Sequence, residues 1–359
     1  MTIDSQCAIG GESQTTRSLQ VRNSNFELLR VVSILLIIAM HAIGYAASKG
    51  ELSDSNQYIR FFVGSFGNLG VGCFVLISGY FGVKYTTRKF VFISWLTTIY
   101  AILCAWANND FSISRDCVMA ITNVPRYFNW YITCYLILMA LSGYINRFVG
   151  TLTKNEFKQL IMILFLFFSV LPMMVSATDT VLLKSGQCVT YFIYAYFIGR
   201  YIRLHRDIDV SKVKSVLMTL TFIAMLFTIK VVGVYVPAID AIPVMSNNSP
   251  LVLGAVVSVF YLFKSFNFKS EIVNYISVSV LAVYLLDNLK PAIDNYFQVY
   301  THTLSSDFVL FVIMEAVTIF LIAILIDKIR THVFGKAENY IINEMTALLT
   351  RIMRKVVKL

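Results

Sequence analysis

Charge is what this chain has least of. Only 14% of its 359 residues are Asp, Glu, Lys or Arg, whereas soluble domains hold about 25%. So little charge cannot keep a chain of this length in water, which excludes an ordinary soluble globule. Cysteine is scarce as well: Cys7, Cys73, Cys104, Cys117, Cys134 and Cys188 form no CxxC pair and no ligand-like group with histidine. That spacing argues against a disulfide framework or a metal site. Most of the six lie in or beside apolar runs, where cysteine serves as a small apolar residue. Internal repeats and matched pairs of Gly/Pro-broken spans are missing too, which removes the best sequence pointer to a secondary transporter without excluding one. Residues 1–22 are polar, and the apolar run after them is too long for a cleavable signal peptide.

What the chain has in quantity is apolar surface. It is 57% hydrophobic, with a mean hydropathy of +0.71 and 28 Phe and 20 Tyr to face lipid and its interfaces. Ten apolar segments follow one another, at about 26–46, 60–82, 90–106, 129–148, 159–177, 187–203, 215–236, 250–266, 275–291 and 307–327. Each is near the ~20 residues needed to cross a bilayer, so the expected fold is all-α, a polytopic membrane protein of about ten transmembrane helices. The net charge of +10 lies in short runs between the spans, which argues against a nucleic-acid partner and for membrane lipid. Alternating the segments puts 23 Lys and Arg on one side and 6 on the other, with Lys230 inside a span. Positive charge stays cytoplasmic, so both termini are expected there. Three parts result: a polar segment 1–22, a transmembrane domain 23–335, and a tail 336–359. In the tail Ile341, Met345, Leu348 and Ile352 recur at helical spacing while Arg351, Arg354, Lys355 and Lys358 crowd the end. That pattern predicts an amphipathic helix lying on an anionic leaflet.

The first span carries two ionisable groups, Arg30 and His41. Such groups are costly inside a membrane and mark function by default. Eleven residues at about 100° each come within ~20° of three full turns, so the two share a face, roughly 16 Å apart along the axis. The plainer readings are that Arg30 snorkels to the headgroups and His41 bonds a neighbouring helix. The small residues of Gly70–Gly82 predict close helix packing. Lys84, Arg88 and Lys89 after them satisfy the positive-inside pattern, or bind phosphate. Trp130 and Tyr131 suit an interfacial belt or stacking on a sugar. Glu315, mid-span, should face the interior, with Lys230 as a structural partner or in a catalytic role. His41 and Asp287 lie at similar depths by residue count, so Asp287 either orients His41 or pairs with Lys290 one turn on.

Several of these residues also form an ordered set of motifs: Arg30-x10-His41, Phe74-Val-Leu-Ile-Ser-Gly-Tyr80 with basic residues after it, Trp130-Tyr-Ile132 with Tyr135, and Val283-Tyr-Leu-Leu286. The set resembles the acyltransferase-3 family of integral-membrane acyltransferases over roughly residues 23–335. That resemblance implies transfer of an acyl group, commonly acetyl from acetyl-CoA, to a hydroxyl, often on a surface glycan or its lipid-linked precursor. It implies His41 as general base, with Arg30, Lys84, Arg88 and Lys89 toward the coenzyme phosphates, in a bacterial-type cytoplasmic membrane. Two departures stand out. The basic triplet replaces the family's frequent Arg-x-x-Arg, and Asp287 stands where many relatives carry a histidine. Without the resemblance, a polytopic transporter or flippase fits the same composition. A lipid-linked glycan polymerase is a third reading, disfavoured by the lack of a long outer loop.

Overall fold

The computed structural model describes residues 23–122, 129–175 and 183–357, and these are helical with no strand among them. The predicted polar segment 1–22 lies outside the described residues. Helix α1 (Ser24–Lys49) is followed by α2 (Asp54–Gly67), α3 (Leu69–Phe81), α4 (Thr87–Asn108), the short α5 (Arg115–Ala120) and α6 (Trp130–Thr151). Helix α7 (Lys154–Phe165) runs through a π-turn at Leu166–Val170 into α8 (Leu171–Met174). Then come α9 (Val189–His205), α10 (Lys212–Tyr235), α11 (Pro237–Asp240) and α12 (Pro250–Lys264). The last group is α13 (Glu271–Ser277), α14 (Val280–Leu286), α15 (Lys290–Phe297) and α16 (Phe308–Val357).

Polar starts define these helices. Ser53, Thr86, Ser211 and Ser270 each accept a backbone N–H three residues on, and Thr153 forms a reciprocal capping box with Glu156. Each cap satisfies a donor the first turn would otherwise leave open.

Helix occupies all ten predicted segments over their described residues, and among those residues seven helical stretches, α2 with α3 counted as one and α7 through α8 as another, are long and apolar enough to cross a membrane. An eighth span results if the pair α13 and α14–α15, bent by 41°, counts as one. Helices α9 and α12 have 17 and 15 residues, about 25 and 22 Å at 1.5 Å per residue, against a ~30 Å hydrocarbon core. Burial explains how α9 can be short. Its Tyr191, Phe192, Tyr194 and Tyr196 are almost wholly enclosed, so protein rather than lipid surrounds it. It reaches α3 through facing glycines. A Cβ on Gly79 would lie 2.4 Å from the Tyr196 carbonyl oxygen, and one on Gly199 2.4 Å from that of Leu76. The small residues of Gly70–Gly82 therefore do what their composition suggested: they let backbones touch. Just beyond, in the loop after α9, Asp207 gathers Tyr80 Oη (2.8 Å), Arg203 (2.7 Å) and Lys264 (3.0 Å). Burial alone would raise the Asp207 pKa, but these three contacts outweigh it and hold the carboxyl below its ordinary range. The knot ties α3, α9 and α12 together at the end of the bundle where α1 begins.

The tail is not a separate helix. With no proline and only Gly335 as a weak point, α16 continues for 50 residues, about 75 Å, and carries the predicted amphipathic segment with it. Glu338 accepts from Trp95 Nε1 at 3.1 Å, and Arg88 of α4 reaches Asn339 (2.7 Å) and Asn343 (3.2 Å). The tail is thus docked on the start of α4.

Candidate active site

Helix α1 is unbroken from Ser24 to Lys49, so Arg30 and His41 keep the shared face that their spacing implies. Each lines a cavity. The Arg30 cavity, about 900 Å³, is walled by Lys89, Phe74, Ser78, Tyr131, Tyr135 and Tyr284 among others. Motif residues from five separate segments therefore meet in one place. Tyr131 is their hub: its ring lies 6.2 Å from Phe74, 5.3 Å from Tyr284 and 6.4 Å, nearly parallel, from Tyr135. The His41 cavity, about 1120 Å³, is walled by residues of α1, α2 and α10 together with Lys290. The two cavities stand back to back. Ile37 lines the first and Met40 the second, a separation of about one helical turn.

A break in the chain aims Asp287 at His41. Helix α14 stops at Leu286, a tight 3-10 turn follows at Asp287–Leu289, and α15 restarts with Pro291 in its first turn. Proline has no N–H to continue the earlier ladder, so the chain can re-aim here. Asp287 and Lys290, both buried, turn inward. Asp287 Oδ2 lies 2.6 Å from His41 Nδ1, and Oδ1 lies 3.2 Å from Lys290 Nζ. The two alternatives left open by the sequence coexist, because each carboxylate oxygen takes one partner. An ionised Asp287 accepts from Nδ1–H, which leaves the Nε2 lone pair free. His41 is 43% exposed at its side chain while Asp287 is 9% exposed, so the imidazole faces space and its partner faces protein. A second ion pair lies further along the same elements: Lys49 Nζ is 3.1 Å from Asp294, whose other oxygen accepts from the Val299 N–H at 2.9 Å.

Of the other predicted site residues, Arg30, Lys89 and Tyr131 share one cavity and the rest scatter. Arg30 donates to Glu27 Oε1 at 2.6 Å through Nη1, and its other nitrogens have no partner among the described residues. Of the basic triplet only Lys89 lines the Arg30 cavity. Arg88 is taken up by the tail and Lys84 is exposed between α3 and α4. Trp130 packs edge-on against Tyr131 and Phe192 at 6.0 Å each, a half-buried core contact away from the His41 cavity. Tyr131 also faces the Arg30 cavity rather than the His41 cavity, so the structure does not bring this aromatic pair to the histidine. Lys230 pairs with Asp240 rather than with Glu315, which is fully buried with neither oxygen hydrogen-bonded among the described residues. Sequence reasoning missed Gln57, Arg60 and Asn68, which bring polar groups of α2 and the residue after it into the His41 cavity. Their only signal was a polar first half to an otherwise apolar span.

Fold and site together define a polytopic membrane protein with a histidine–carboxylate pair whose histidine lines one of two neighbouring cavities. Residues 23–327 match the model of the acyltransferase-3 family, described as an acyltransferase domain, and the chain belongs to that family. It is a membrane acyltransferase. No curated protein and no solved structure matches it.

Proposed function

We propose that this protein moves an acyl group, acetyl in the first instance, from acyl-CoA bound in the Arg30 cavity to a hydroxyl of a saccharide bound in the His41 cavity. The observation that carries the proposal is the 2.6 Å contact between His41 Nδ1 and Asp287 Oδ2, with His41 lining one cavity and another cavity about one turn of α1 away. The coenzyme supplies a thioester activated for transfer. Arg30 and Lys89 provide the cationic groups for its phosphates, and the tyrosines around them provide an apolar wall. His41 Nε2 takes the proton of the acceptor hydroxyl as its oxygen bonds to the acyl carbon; the carbon–sulfur bond breaks and the proton passes to the departing sulfur. Asp287 keeps Nδ1 protonated and stabilises the transient imidazolium. Exclusion of water by the helix walls protects the thioester from hydrolysis.

The 23-to-6 charge asymmetry supports a cytoplasmic Arg30 end, where acyl-CoA is made, in a bacterial cytoplasmic membrane. The two short helices and the bent pair then complete ten crossings with both termini inside. The acceptor is a cell-surface glycan or its lipid-linked precursor, reached from the opposite face.

Coenzyme binding tests the first half of this reading. Loss of a charge-assisted contact weakens affinity about ten- to a hundredfold, so Arg30→Ala in purified protein should bind acetyl-CoA that much less tightly. Arg30→Lys, which keeps charge but not the planar fork, should fall between the two. Parental affinity in Arg30→Ala would return Arg30 to a partner of Glu27 and nothing more.

A further inference from the structure

Besides its histidine the His41 cavity is lined by three cations, and one of them is in no salt bridge among the described residues. Among the described residues the end of the bundle where it opens holds few basic residues, Lys49, Arg60, Arg115, Lys184 and Lys290 in its loops and helix ends. Arg60 and Lys290 line this cavity, as does Lys230 from α10. Arg60 also lines a neighbouring cavity of about 530 Å³ together with Lys49. On the far side, Lys230 and Asp240 are shared with a third cavity of about 370 Å³ that holds Gln187 and Asn247. The three hollows share walls, forming an extended groove with His41 in its central part.

The other cations of this groove each have a carboxylate. Lys49 has Asp294 at 3.1 Å, Lys290 has Asp287 at 3.2 Å, and Lys230 has Asp240 at 2.5 Å. Arg60 has none within ion-pair distance among the described residues; the acid of its neighbouring hollow, Glu51, lines that cavity without forming a salt bridge to it. It is exposed, but the helix that carries it is fixed on both sides. One turn before it, the buried Asn56 side chain donates to the Thr303 and Ser305 carbonyls at 2.8 and 2.9 Å, pinning α2 to the loop ahead of α16. Tyr58 Oη meets Tyr235 Oη at 2.8 Å and ties the same helix to α10. A helix held on both sides thus presents an exposed guanidinium, in no salt bridge among the described residues, at the junction of two hollows. A guanidinium is a planar fork suited to carboxylate or phosphate oxygens.

We infer that the acceptor is an anionic saccharide, and that Arg60 reads a carboxylate or phosphate next to the sugar unit whose hydroxyl faces His41. This deepens the proposed function and rests on the His41 cavity being the acceptor site. The amide side chain of Gln57 in the groove provides a donor and an acceptor for sugar hydroxyls.

Binding tests it without turnover. Purified protein in phosphatidylcholine nanodiscs is titrated with three oligosaccharides of equal length: a neutral galactan, a galacturonan, and a galactan ended by a phosphate monoester. At least one anionic form should bind about tenfold tighter than the neutral one, and that preference should shrink with added salt. Which form it is distinguishes a uronic acid from a phosphate. Arg60→Gln should erase the preference while acetyl-CoA affinity stays parental. Equal or undetectable binding of all three, or a preference that survives in Arg60→Gln, overturns the proposal. So does phosphatidylglycerol in the nanodiscs protecting Arg60 from arginine-specific labelling when no saccharide does, since the cation would then serve a lipid headgroup. Anionic binding that depends on Arg60, without any acyl transfer in a complete assay, would instead leave this inference standing and remove the proposed reaction.

Discussion

His41→Ala is expected to lower acyl transfer by about a hundredfold to ten-thousandfold, the range general-base catalysis contributes. Expression and acetyl-CoA affinity should stay near parental. His41 is 43% exposed and lines an open cavity, so its removal leaves no packed void. The coenzyme is assigned to the other cavity, beyond a turn of α1 that the substitution does not touch. Single-turnover transfer of labelled acetyl groups separates these effects. Turnover within threefold of the parent would show that the imidazole is a packing residue.

Asp287→Asn should cost nearly as much in turnover, about a hundredfold or more, because an amide can donate to Nδ1 and favour the wrong tautomer. The structure adds a complication that depth counting did not. The same carboxylate serves Lys290, and removing one member of a buried pair destabilises by roughly 3–5 kcal/mol. Activity loss by itself could therefore reflect a weakened fold. The double variant Asp287→Asn/Lys290→Met separates the two, since it discards the stranded charge as well. Thermal stability should recover in the double variant while turnover does not, and the interaction term of the cycle would report the pair. Recovery of both would mean that Asp287 serves only to neutralise Lys290.

How far these residues were legible depends on the range of the interaction. Arg30 and His41 share one helix, so a fixed 3.6-residue turn relates them whatever the tertiary fold. Asp287 was reachable because a bilayer makes depth a coordinate: two spans of known start bring two residues to one level. Depth says nothing about azimuth, so which of His41 and Lys290 it would face stayed open, and the answer is both. Helix length alone accounts for seven or eight of the ten expected spans, for a related reason. Length measures the need to cross lipid, and α9 is enclosed by protein instead. Arg88 was read as a loop charge because the tail that captures it lies 251 and 255 residues away, beyond any local pattern. Arg60 was counted only as one of a few outer charges. That it makes no salt bridge among the described residues is visible only once Asp240, Asp287 and Asp294 have been assigned to other partners.

Convergence is what the motifs could not display. Phe74, Tyr131, Tyr135 and Tyr284 are unremarkable apolar-span aromatics one at a time, and an interfacial belt would account for each. Brought together around Arg30 they form the wall of a single cavity, separated from the histidine by one turn of the helix that carries both.

A transporter with the same two cavities would carry its solute across unchanged, and that difference is measurable. Sealed inside-out membrane vesicles, with the Arg30 end outward, are given acetyl-CoA labelled in the acetyl group, with saccharide acceptor enclosed in the lumen. The account predicts label covalently attached to lumenal saccharide and an equal amount of free coenzyme outside, both lost in His41→Ala. Label that stays on the coenzyme, or that reaches the lumen without forming an ester, would contradict it.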